Sequence, residues 1–345
     1  MKFSKLLLIA LSISLFVSCS SDDNDTPKGA YDNGFFILNE GSSSVGSVSF
    51  SSNDFSLFTK DVYKAENGND LIGGYLQNIF FDGDKAYIIS NGSNVINVVN
   101  RYTFKLIAKI DSGLAIPRYG VVKDGKAYVT NANTYSYINP ATGDTDDFVA
   151  VIDLATNKVE SKIELNATAN RLVLDNGKLY ITEPNSSSKL LIVNIATKAV
   201  ETLEIGYSAD CIEEENGTLY ILRAPYTGTG EILKVKISDK SISKIAFPES
   251  LAGAGFMDID DSKIYYTAGS SVYSIGINAT TASTTAIVNT PAGYIYGFAA
   301  KNNRIYVADG GDFKSDSKAY IYNLSGVLQK ELTVGIGPNG FYFND

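Results

Sequence analysis

Histidine is missing from this 345-residue sequence, and cysteine occurs only twice. Without histidine, the chain cannot build a Ser-His-Asp or Cys-His catalytic centre. Zinc sites and most copper sites need histidine or several cysteines, so neither metal is expected. Cys19 lies in an N-terminal leader, which leaves Cys211 without a partner for an intramolecular disulfide. These absences favour binding over catalysis, and we expect no enzyme activity, no cofactor and no resident metal.

Positive charge is scarce as well. The 29 Lys and Arg residues are outnumbered by 38 Asp and Glu residues, the net charge is −9, and the basic residues form no run. Binding to a nucleic-acid backbone depends on clustered Lys and Arg, so no nucleic-acid partner is expected. Charged residues make up only 19% of the chain, whereas Gly, Tyr and Phe are abundant. This composition favours strands and turns over helices.

The N-terminal apolar run, Leu6–Val17, is too short for a transmembrane helix, which needs about 20 residues. Lys2 and Lys5 precede the run, as in a secretory signal. The run ends in Phe16–Cys19, which resembles a loose lipobox, in which the cysteine is acylated and becomes the new N-terminus. A plain signal peptide is the alternative, and it leaves the position of Cys19 unexplained.

Three segments follow from this interpretation. Residues 1–18 are predicted to be a lipoprotein signal peptide, with lipidation at Cys19. Residues 19–30 are polar, acidic and almost free of apolar side chains, which predicts a disordered tether. Residues 31–345 are predicted to form a single folded unit, which is within the range that propellers and barrels reach as one domain.

A short pattern recurs seven times, consisting of a tight turn and then a strand with an aromatic residue. The turn is usually Asp-Gly or Asn-Gly, a strong hairpin signal because both turn residues take positive φ. The aromatic positions are Phe36, Tyr87, Tyr128, Tyr180, Tyr220, Tyr265 and Tyr306. They recur every 40 to 52 residues, a period typical of four-stranded propeller blades. The sequence therefore predicts an all-β, seven-bladed β-propeller.

The two ends of the chain predict how the ring closes. The first copy of the pattern begins at its second strand, whereas the chain ends on Gly340–Phe343, which has the pattern of an innermost strand with nothing after it. We expect the C-terminal strand to complete the N-terminal blade, because closure removes free strand edges that invite aggregation.

Several phrases resemble a known family. Tyr128–Asn131 reads YVTN, as in the YVTN and YncE-like propellers. Phe36–Gly41, Gly46–Phe50 and Pro117–Tyr119 are similar to a group of Bacteroidetes surface lipoproteins within that family. The acidic stretch after Cys19 resembles the segment that such lipoproteins use to reach the outer cell surface. Some members of the group bind cobalamin and cap a TonB-dependent transporter.

 The resemblance implies an outer-membrane lipoprotein. It implies a lipid-anchored protein that faces the outside of the cell. Such a protein captures a small ligand, with cobalamin as the best candidate, and passes it to a TonB-dependent transporter. Two alternatives stay open. One is a surface scaffold that binds a protein or a glycan without transport, and the other is a hydrolase that works with carboxylates.

The candidate ligand site is predicted from the repeat. In propellers, the segments entering the inner strands and the loops joining the second and third strands gather on one face around the central channel. Counting back ten residues from each repeat aromatic gives a mostly polar ring, and the loops add aromatic and charged side chains. The candidate residues are Tyr75, Gln77, Arg118, Tyr119, Asn133, Tyr135, Asn170, Arg171, Glu183, Asp210, Arg223, Tyr226, Phe256, Tyr294, Tyr296 and Asn339.

These residues favour a ligand without identifying it. Aromatic side chains with polar tips suit a flat, amide-rich molecule. Arg118, Arg171 and Arg223 are candidates for bidentate pairing with a phosphate or a carboxylate. Cobalamin, haem, peptides and glycans are all compatible. The alternatives are that the polar ring only holds structural hydrogen bonds and that the tyrosines mark a protein interface.

The remaining chemistry-bearing residues give weaker signals. Glu40, Glu183 and Asp309 each follow a second strand and are expected on one face, but hydrolysis needs two carboxylates about 5 to 10 Å apart. Asp144–Asp147 is acidic enough to suggest calcium, yet it lacks the glycine and distal glutamate of an EF-hand, so a solvated loop is favoured. Cys211 is expected to be a small buried residue rather than a nucleophile.

Overall fold

The computed structural model describes residues 28–43, 45–134 and 145–344. The predicted signal peptide, the lipidation site Cys19, most of the predicted tether, Tyr135 and Asp144 lie outside these residues. The described chain forms seven four-stranded antiparallel sheets. They are the blades of a β-propeller around a central channel, which confirms the predicted fold class.

The chain visits the blades in order, and in each of blades 2 to 7 it runs from the innermost strand to the outermost. Blade 1 contains β1 (Gly34–Asn39), β2 (Ser47–Ser52) and β3 (Phe58–Thr59); blade 2 contains β4 (Leu76–Asp82), β5 (Lys85–Ser90), β6 (Val95–Asn100) and β7 (Leu106–Ile110); blade 3 contains β8 (Pro117–Lys123), β9 (Lys126–Asn131), β10 (Phe148–Asp153) and β11 (Lys158–Glu164). Blade 4 contains β12 (Leu172–Asp175), β13 (Lys178–Ile181), β14 (Lys189–Asn194) and β15 (Val200–Glu204); blade 5 contains β16 (Ala209–Glu215), β17 (Thr218–Arg223), β18 (Glu231–Lys236) and β19 (Ile242–Ala246). Blade 6 contains β20 (Ala254–Asp260), β21 (Lys263–Ala268), β22 (Ser271–Gly276) and β23 (Val288–Asn289); blade 7 contains β24 (Ile295–Lys301), β25 (Arg304–Asp309), β26 (Lys318–Asn323) and β27 (Leu328–Thr333). The last strand, β28 (Pro338–Asn344), belongs to blade 1, and a short helix, α1 (Val62–Asn67), follows β3.

The repeated turns have the conformation that their sequence predicts. Both turn residues have positive φ at Asp124–Gly125, Asn176–Gly177 and Asn216–Gly217. The pairs without glycine, Asp261–Ser262 and Asn302–Asn303, adopt the same conformation. Asp and Asn tolerate it because their short polar side chains bond locally. Each turn therefore fixes the register between the first and second strands of its blade.

Closure of the ring is as predicted. The strand β28 pairs antiparallel with β1, with Phe341 opposite Ile37 and Phe343 opposite Phe35, and so becomes the innermost strand of blade 1. A second contact reinforces this closure, since the buried Asn344 side chain donates to the carbonyl oxygens of Tyr31 and Arg101. The two ends of the described chain are thus joined to each other and to blade 2.

The repeat aromatics pack between blades. Tyr306 of blade 7 is fully buried and its ring lies 5.0 Å from that of Phe35 and 5.4 Å from that of Phe341, both in blade 1. Tyr87 stacks on Phe80 within blade 2 at 4.9 Å. One large ring per repeat therefore fills the wedge-shaped space between neighbouring sheets, and such rings contribute much of the buried apolar area.

The ring has two faces, named here by their loops. The upper face carries the segments that lead into the inner strands and the loops between second and third strands. The lower face carries the tight turns between first and second strands and between third and fourth strands. Lys28, the first described residue, lies at the lower face, where its Nζ donates to the hydroxyl of Tyr102 at 3.1 Å. The chain thus enters the propeller from the side opposite the upper face.

Candidate ligand-binding site

An extra residue at the start of the inner strands turns side chains toward the mouth of the channel. The pairing register shifts at this point in six of the blades. Such a bulge re-aims the side chain of the unpaired residue. The residues within these shifts include Gln77, Arg118, Tyr119, Asp210, Gly255, Phe256, Tyr296 and Asn339. Counting back from the repeat aromatic finds these positions because the hairpin between them has nearly constant length.

A chain of polar contacts crosses the channel mouth from blade 3 to blade 5. Arg118 donates through Nε to Oδ1 of Asn170 at 3.1 Å, and Asn170 donates to Oδ1 of Asp210 at 3.3 Å. Arg171 donates through Nε to the same oxygen at 3.0 Å, forming an ion pair. The charge of Arg171 is therefore balanced within the protein by Asp210.

Tyr119 extends this network toward blade 2. The guanidinium of Arg171 lies 4.6 Å from the centre of the Tyr119 ring, a cation–π contact. The hydroxyl of Tyr119 accepts a hydrogen bond from Gln77 at 2.9 Å. Burial raises the pKa of Tyr119, so its hydroxyl stays protonated at neutral pH. The predicted ring thus forms one connected floor above the channel.

A cavity of about 680 Å³ opens on the upper face above blades 5 to 7. This size is within the range of ligand pockets. The structure brings nine of the predicted residues to its wall: Gln77, Tyr119, Arg171, Asp210, Tyr226, Phe256, Tyr294, Tyr296 and Asn339. The other predicted residues that the structure describes lie outside it, so the cavity is displaced to one side of the ring rather than centred on the channel.

The cavity exists because the loop between the second and third strands of blade 6 is short. Gly269 and Ser270 alone join β21 to β22, where other blades have longer loops. A Cβ added at Gly269 or at Gly293 would meet nothing within 4 Å. Since these positions project no side chain, space remains between the loops of blades 5 and 7.

The rim of the cavity is aromatic and uncharged. Among the described residues, the exposed aromatic side chains all lie on the upper face: Tyr75, Tyr207, Tyr226, Tyr294 and Phe313. The upper-face segments 205–208, 224–230, 269–270, 290–294 and 334–337 contain no Asp, Glu, Lys or Arg. Charged residues make up 19% of the whole chain. Charge is therefore sparse in these segments, whereas the neighbouring loop that carries Phe313 contains Asp312, Lys314 and Asp316.

An acidic side chain supports the aromatic rim from below. The rings of Tyr296 and Phe313 meet edge to face at 4.9 Å, and Tyr294 lies 5.9 Å from Tyr296. The hydroxyl of Tyr296 donates to the carboxylate of Glu40 in blade 1. Burial raises the pKa of Glu40, while this hydrogen bond opposes the rise. The hydrogen bond holds the Tyr296 ring in place. Burial and the neighbouring Glu40 also raise the pKa of the Tyr296 hydroxyl, so it stays protonated and remains the donor.

Other predicted residues have local partners instead. Arg223 is paired with Glu231 and donates to the carbonyl oxygen of Tyr207 at 2.8 Å, so it does not face the cavity as an anion ligand. Asn133 donates to a carboxylate oxygen of Asp146 at 2.8 Å. These side chains bond within their own loops and are not among the residues that line the cavity.

Arg118, Asn170 and Tyr75 also stay outside the cavity wall. Arg118 and Asn170 belong to the polar floor described above, while Tyr75 is exposed on the upper face of blade 2. Tyr75 has a φ of 49°, and its backbone bonds to Ser42 and Asn91 set this conformation. In this sector of the ring, Arg118 and Asn170 bond to each other rather than lining the cavity.

The three carboxylates considered for hydrolysis are engaged separately. Glu183 is buried and accepts the backbone N–H groups of Asn185, Ser186 and Ser187 at distances of 2.6 to 3.2 Å. Asp309 accepts the N–H of Gly293 at 3.1 Å. With Glu40 bonded to Tyr296, each acid holds a loop or a ring in place.

The sequence did not identify two carboxylates that line the channel. Glu213 and Asp258 occupy the same repeat position on β16 and β20 and line a cavity of about 230 Å³ in the channel. Burial and the neighbouring Asp258 raise the pKa of Glu213, while Arg171 opposes the rise. Burial also raises the pKa of Asp258, although it accepts the N–H of Ala300 at 2.8 Å. Glu213–Glu215 reads as an exposed acidic run, so its sequence gives no sign of this site.

Cys211 lies beside these acids, and its thiol is 3.9 Å from the carbonyl oxygen of Gly255. Burial raises its pKa to about 12, so the thiolate needed for nucleophilic attack does not form at neutral pH. In the described part of the chain, no three His, Cys, Asp or Glu residues are grouped to hold a metal ion. In the acidic segment that ends at Asp147, the Asp147 carboxylate accepts the N–H of Ala169 at 2.7 Å.

A recurring threonine was missed as well. Thr130 and Thr182 follow the repeat tyrosine by two residues and donate to the carbonyl oxygens of Asn170 and Asp210 in the next blade, at 2.7 and 2.8 Å. Thr267 accepts the N–H of Phe256 at 3.0 Å. These bonds position the segments that carry the cavity residues. The signal was present in the repeat, as the third letter of YVT and YIT.

The fold and the cavity together define a seven-bladed β-propeller with a cavity on its upper face. Residues 33–254 match the sequence family described as a domain of unknown function (DUF5074). The match spans more than half of the chain, which therefore belongs to this family. No curated protein matches the sequence.

Solved structures share the fold at low sequence identity. A quinonprotein alcohol dehydrogenase-like protein from Bacteroides thetaiotaomicron has a TM-score of 0.68 at 18% identity, covering 91% of this chain and 79% of that one. Virginiamycin B lyase from Staphylococcus aureus has a TM-score of 0.60 at 13% identity, covering 78% and 92%. AztD from Citrobacter koseri has a TM-score of 0.54 at 12% identity, covering 89% and 96%. At these identities the likeness concerns the fold alone.

Proposed function

We propose that this protein is an outer-membrane lipoprotein of the cell surface that captures a small molecule in the upper cavity and passes it to a TonB-dependent transporter. The observation that carries the proposal is the cavity of about 680 Å³ with an uncharged aromatic rim. Such pockets combine apolar area with a few polar groups that orient a ligand. Cobalamin is the first candidate, from the resemblance of Phe36–Gly41 and Pro117–Tyr119 to cobalamin-binding surface lipoproteins.

The position of the chain entry supports this arrangement. Lys28 lies at the lower face, and the cavity opens on the upper face. A lipid on Cys19 would therefore hold the protein by its lower side and leave the cavity open. Within the described residues, no helix is long and apolar enough to cross a bilayer.

The wall of the cavity supports binding rather than catalysis. Asp210 is the one carboxylate among the described residues that line it, and it is paired with Arg171. A hydrolase working with carboxylates needs a second acid on the same substrate. We therefore propose that the protein is not an enzyme.

Calorimetry with cyanocobalamin tests the proposal. Gly293→Trp places a large side chain at the cavity mouth, where an added Cβ is free of clashes, and we expect it to abolish binding. Gly276→Trp is the matched control, because Gly276 is equally free of neighbours but lies on the lower face. Heat from the wild type and from Gly276→Trp alone supports the proposal. No heat from the wild type at high ligand excess removes cobalamin as the ligand.

The exposed aromatic rim favours a second candidate function, a scaffold that binds another surface protein. Tyrosine and phenylalanine are enriched at protein interfaces, and Tyr226 and Tyr294 are exposed at 103% and 58%. Affinity purification from detergent-solubilised outer membrane tests this function. A partner that is retained by the wild type but lost with Tyr226→Ser and Tyr294→Ser together would support it, whereas a partner retained by both would place the interface elsewhere.

A further inference from the structure

The charges and hydrogen-bonding groups of the cavity wall restrict the kind of ligand it accepts. Arg171 and Asp210 are the charged residues among the described lining, and they neutralise each other at 3.0 Å. Neither is left to compensate a charge on a ligand. An ion that enters would lose water without gaining an opposite charge, which is strongly unfavourable.

The surroundings give no help to an anion. Glu213 and Asp258 lie in the channel directly below, where Arg171 separates them from the cavity. Glu40 lies behind Tyr296. Acidic groups beneath the floor make the cavity less favourable for an anion. Each of these acids has its own hydrogen-bond partner or proton, so none presents a carboxylate to a cation in the cavity.

One polar atom in the wall lacks a partner. Asn339 lines both the cavity and the channel, and its Nδ2 donates to the carbonyl oxygen of Leu76 at 2.8 Å. Its Oδ1 is buried and accepts no hydrogen bond from the described residues. Buried acceptors in proteins are almost always satisfied. A ligand that brings an N–H or O–H group would supply the missing donor, whereas a carboxylate would not.

The shape of the cavity suits a ring. Its wall includes small residues such as Gly255 and Gly269 together with the rings of Phe256 and Tyr294. Aromatic walls gain contact area with flat or ring-shaped molecules at little entropic cost. A long flexible chain would make less use of such walls.

We infer that the upper cavity selects uncharged ring compounds whose edges carry amide or hydroxyl donors, and that it discriminates against charged analogues of the same ring. This inference rests on the proposed binding role of the cavity, and it applies to any ligand of that role. Two sources share the chemistry, namely heteroaromatic amides and sugar rings.

Two matched series of compounds test the inference by ligand-observed NMR with the full-length protein. The first is nicotinamide, nicotinate and 1-methylnicotinamide, which are neutral, anionic and cationic on one ring. The second is N-acetylglucosamine, glucuronate and glucosamine. In at least one series we expect the neutral member to bind at least about tenfold more tightly than either charged member. The series that binds identifies the source.

Site specificity comes from the glycine variants. We expect binding of the neutral member to be lost in Gly293→Trp and kept in Gly276→Trp. A charged member that binds as tightly as the neutral one would overturn the inference, as would binding that survives Gly293→Trp or no binding in either series. Neutral compounds that bind while cyanocobalamin does not would remove cobalamin and keep the inference.

Discussion

At the scale of single residues, the cavity and the channel beneath it handle charge differently. In the cavity, Arg171 and Asp210 cancel each other. In the channel, burial raises the pKa values of Glu213 and Asp258, and Arg171 opposes the rise at Glu213. Counting from the repeat predicted Asp210, whereas Arg171 was a candidate because its guanidinium can pair with an anion. The sequence did not predict the channel acids, because alternation along a strand does not show which carboxylates face a narrow lumen.

The channel acids predict how stability depends on pH. A carboxyl whose pKa is higher in the folded than in the unfolded chain binds its proton more tightly in the folded state, so stability falls as the pH rises above the ordinary carboxyl range. We expect the melting temperature of the wild type to fall between about pH 5 and pH 8.5. Glu213→Gln removes much of this slope, because glutamine stays neutral.

Differential scanning fluorimetry across this range measures the effect. Glu164→Gln, at an exposed position of β11, is the control and is expected to follow the wild type. If the wild type and Glu213→Gln lose stability in parallel, the titrating group is not Glu213.

Glu183 gives a second prediction at this scale. Because its carboxylate holds the N–H groups of three successive residues, Glu183→Gln leaves at least one of them unsatisfied. We expect a loss of about 1 to 3 kcal/mol in the free energy of unfolding. Urea denaturation checks this loss against Glu164→Gln. An unchanged free energy of unfolding would show that the loop does not depend on this carboxylate.

At the scale of elements, the bulges in the inner strands determine which residues of the repeat reach the channel mouth. The tight turns fix the register of each hairpin, and the register shifts then direct residues such as Gln77, Tyr296 and Asn339 to the channel mouth. These features follow the repeat, so the blades and most of the polar ring could be predicted. The sideways position of the cavity could not, because it depends on the short Gly269–Ser270 loop relative to the loops of its neighbours.

Closure of blade 1 gives a prediction at the same scale. Deleting residues 341–345 removes most of β28 and exposes the edge of β1, so we expect the whole ring to lose cooperative unfolding. Asn344→Ala is a milder change that leaves two carbonyl oxygens without their donor, with an expected cost of about 2 to 4 kcal/mol.

Thermal and urea unfolding measure both variants. Asn278→Ala, an exposed asparagine below blade 6, is the control for Asn344→Ala and is expected to match the wild type. An unchanged melting point after the deletion would contradict the role of the closing strand.

At the scale of the whole molecule, the two faces carry different features. The chain enters at the lower face, and the cavity and exposed aromatic side chains are on the upper face. This separation follows from the closed ring, because β1 starts at the lower face and β28 supplies the inner strand beside it. The sequence predicted the ring, but the face at which the described chain begins required the structure.

The proposed anchor gives a prediction at this scale. Cys19→Ala removes the proposed lipid attachment, and we expect the variant to leave the membrane fraction while keeping the melting temperature of the wild type. Cys211→Ala, which changes the other cysteine, is expected to remain in the membrane fraction. Fractionation followed by immunoblotting distinguishes the two, and a Cys19→Ala variant that still sediments with membranes would contradict the anchor.

The central claim is that the upper cavity above blades 5 to 7 is a ligand-binding site. A crystal structure of the protein with the tightest-binding neutral ring compound tests it most directly. We predict density for the ligand between Phe256 and Tyr294, with a donor group at Oδ1 of Asn339. Density for the ligand on the lower face, or at the upper face without contact to these residues, would contradict the account.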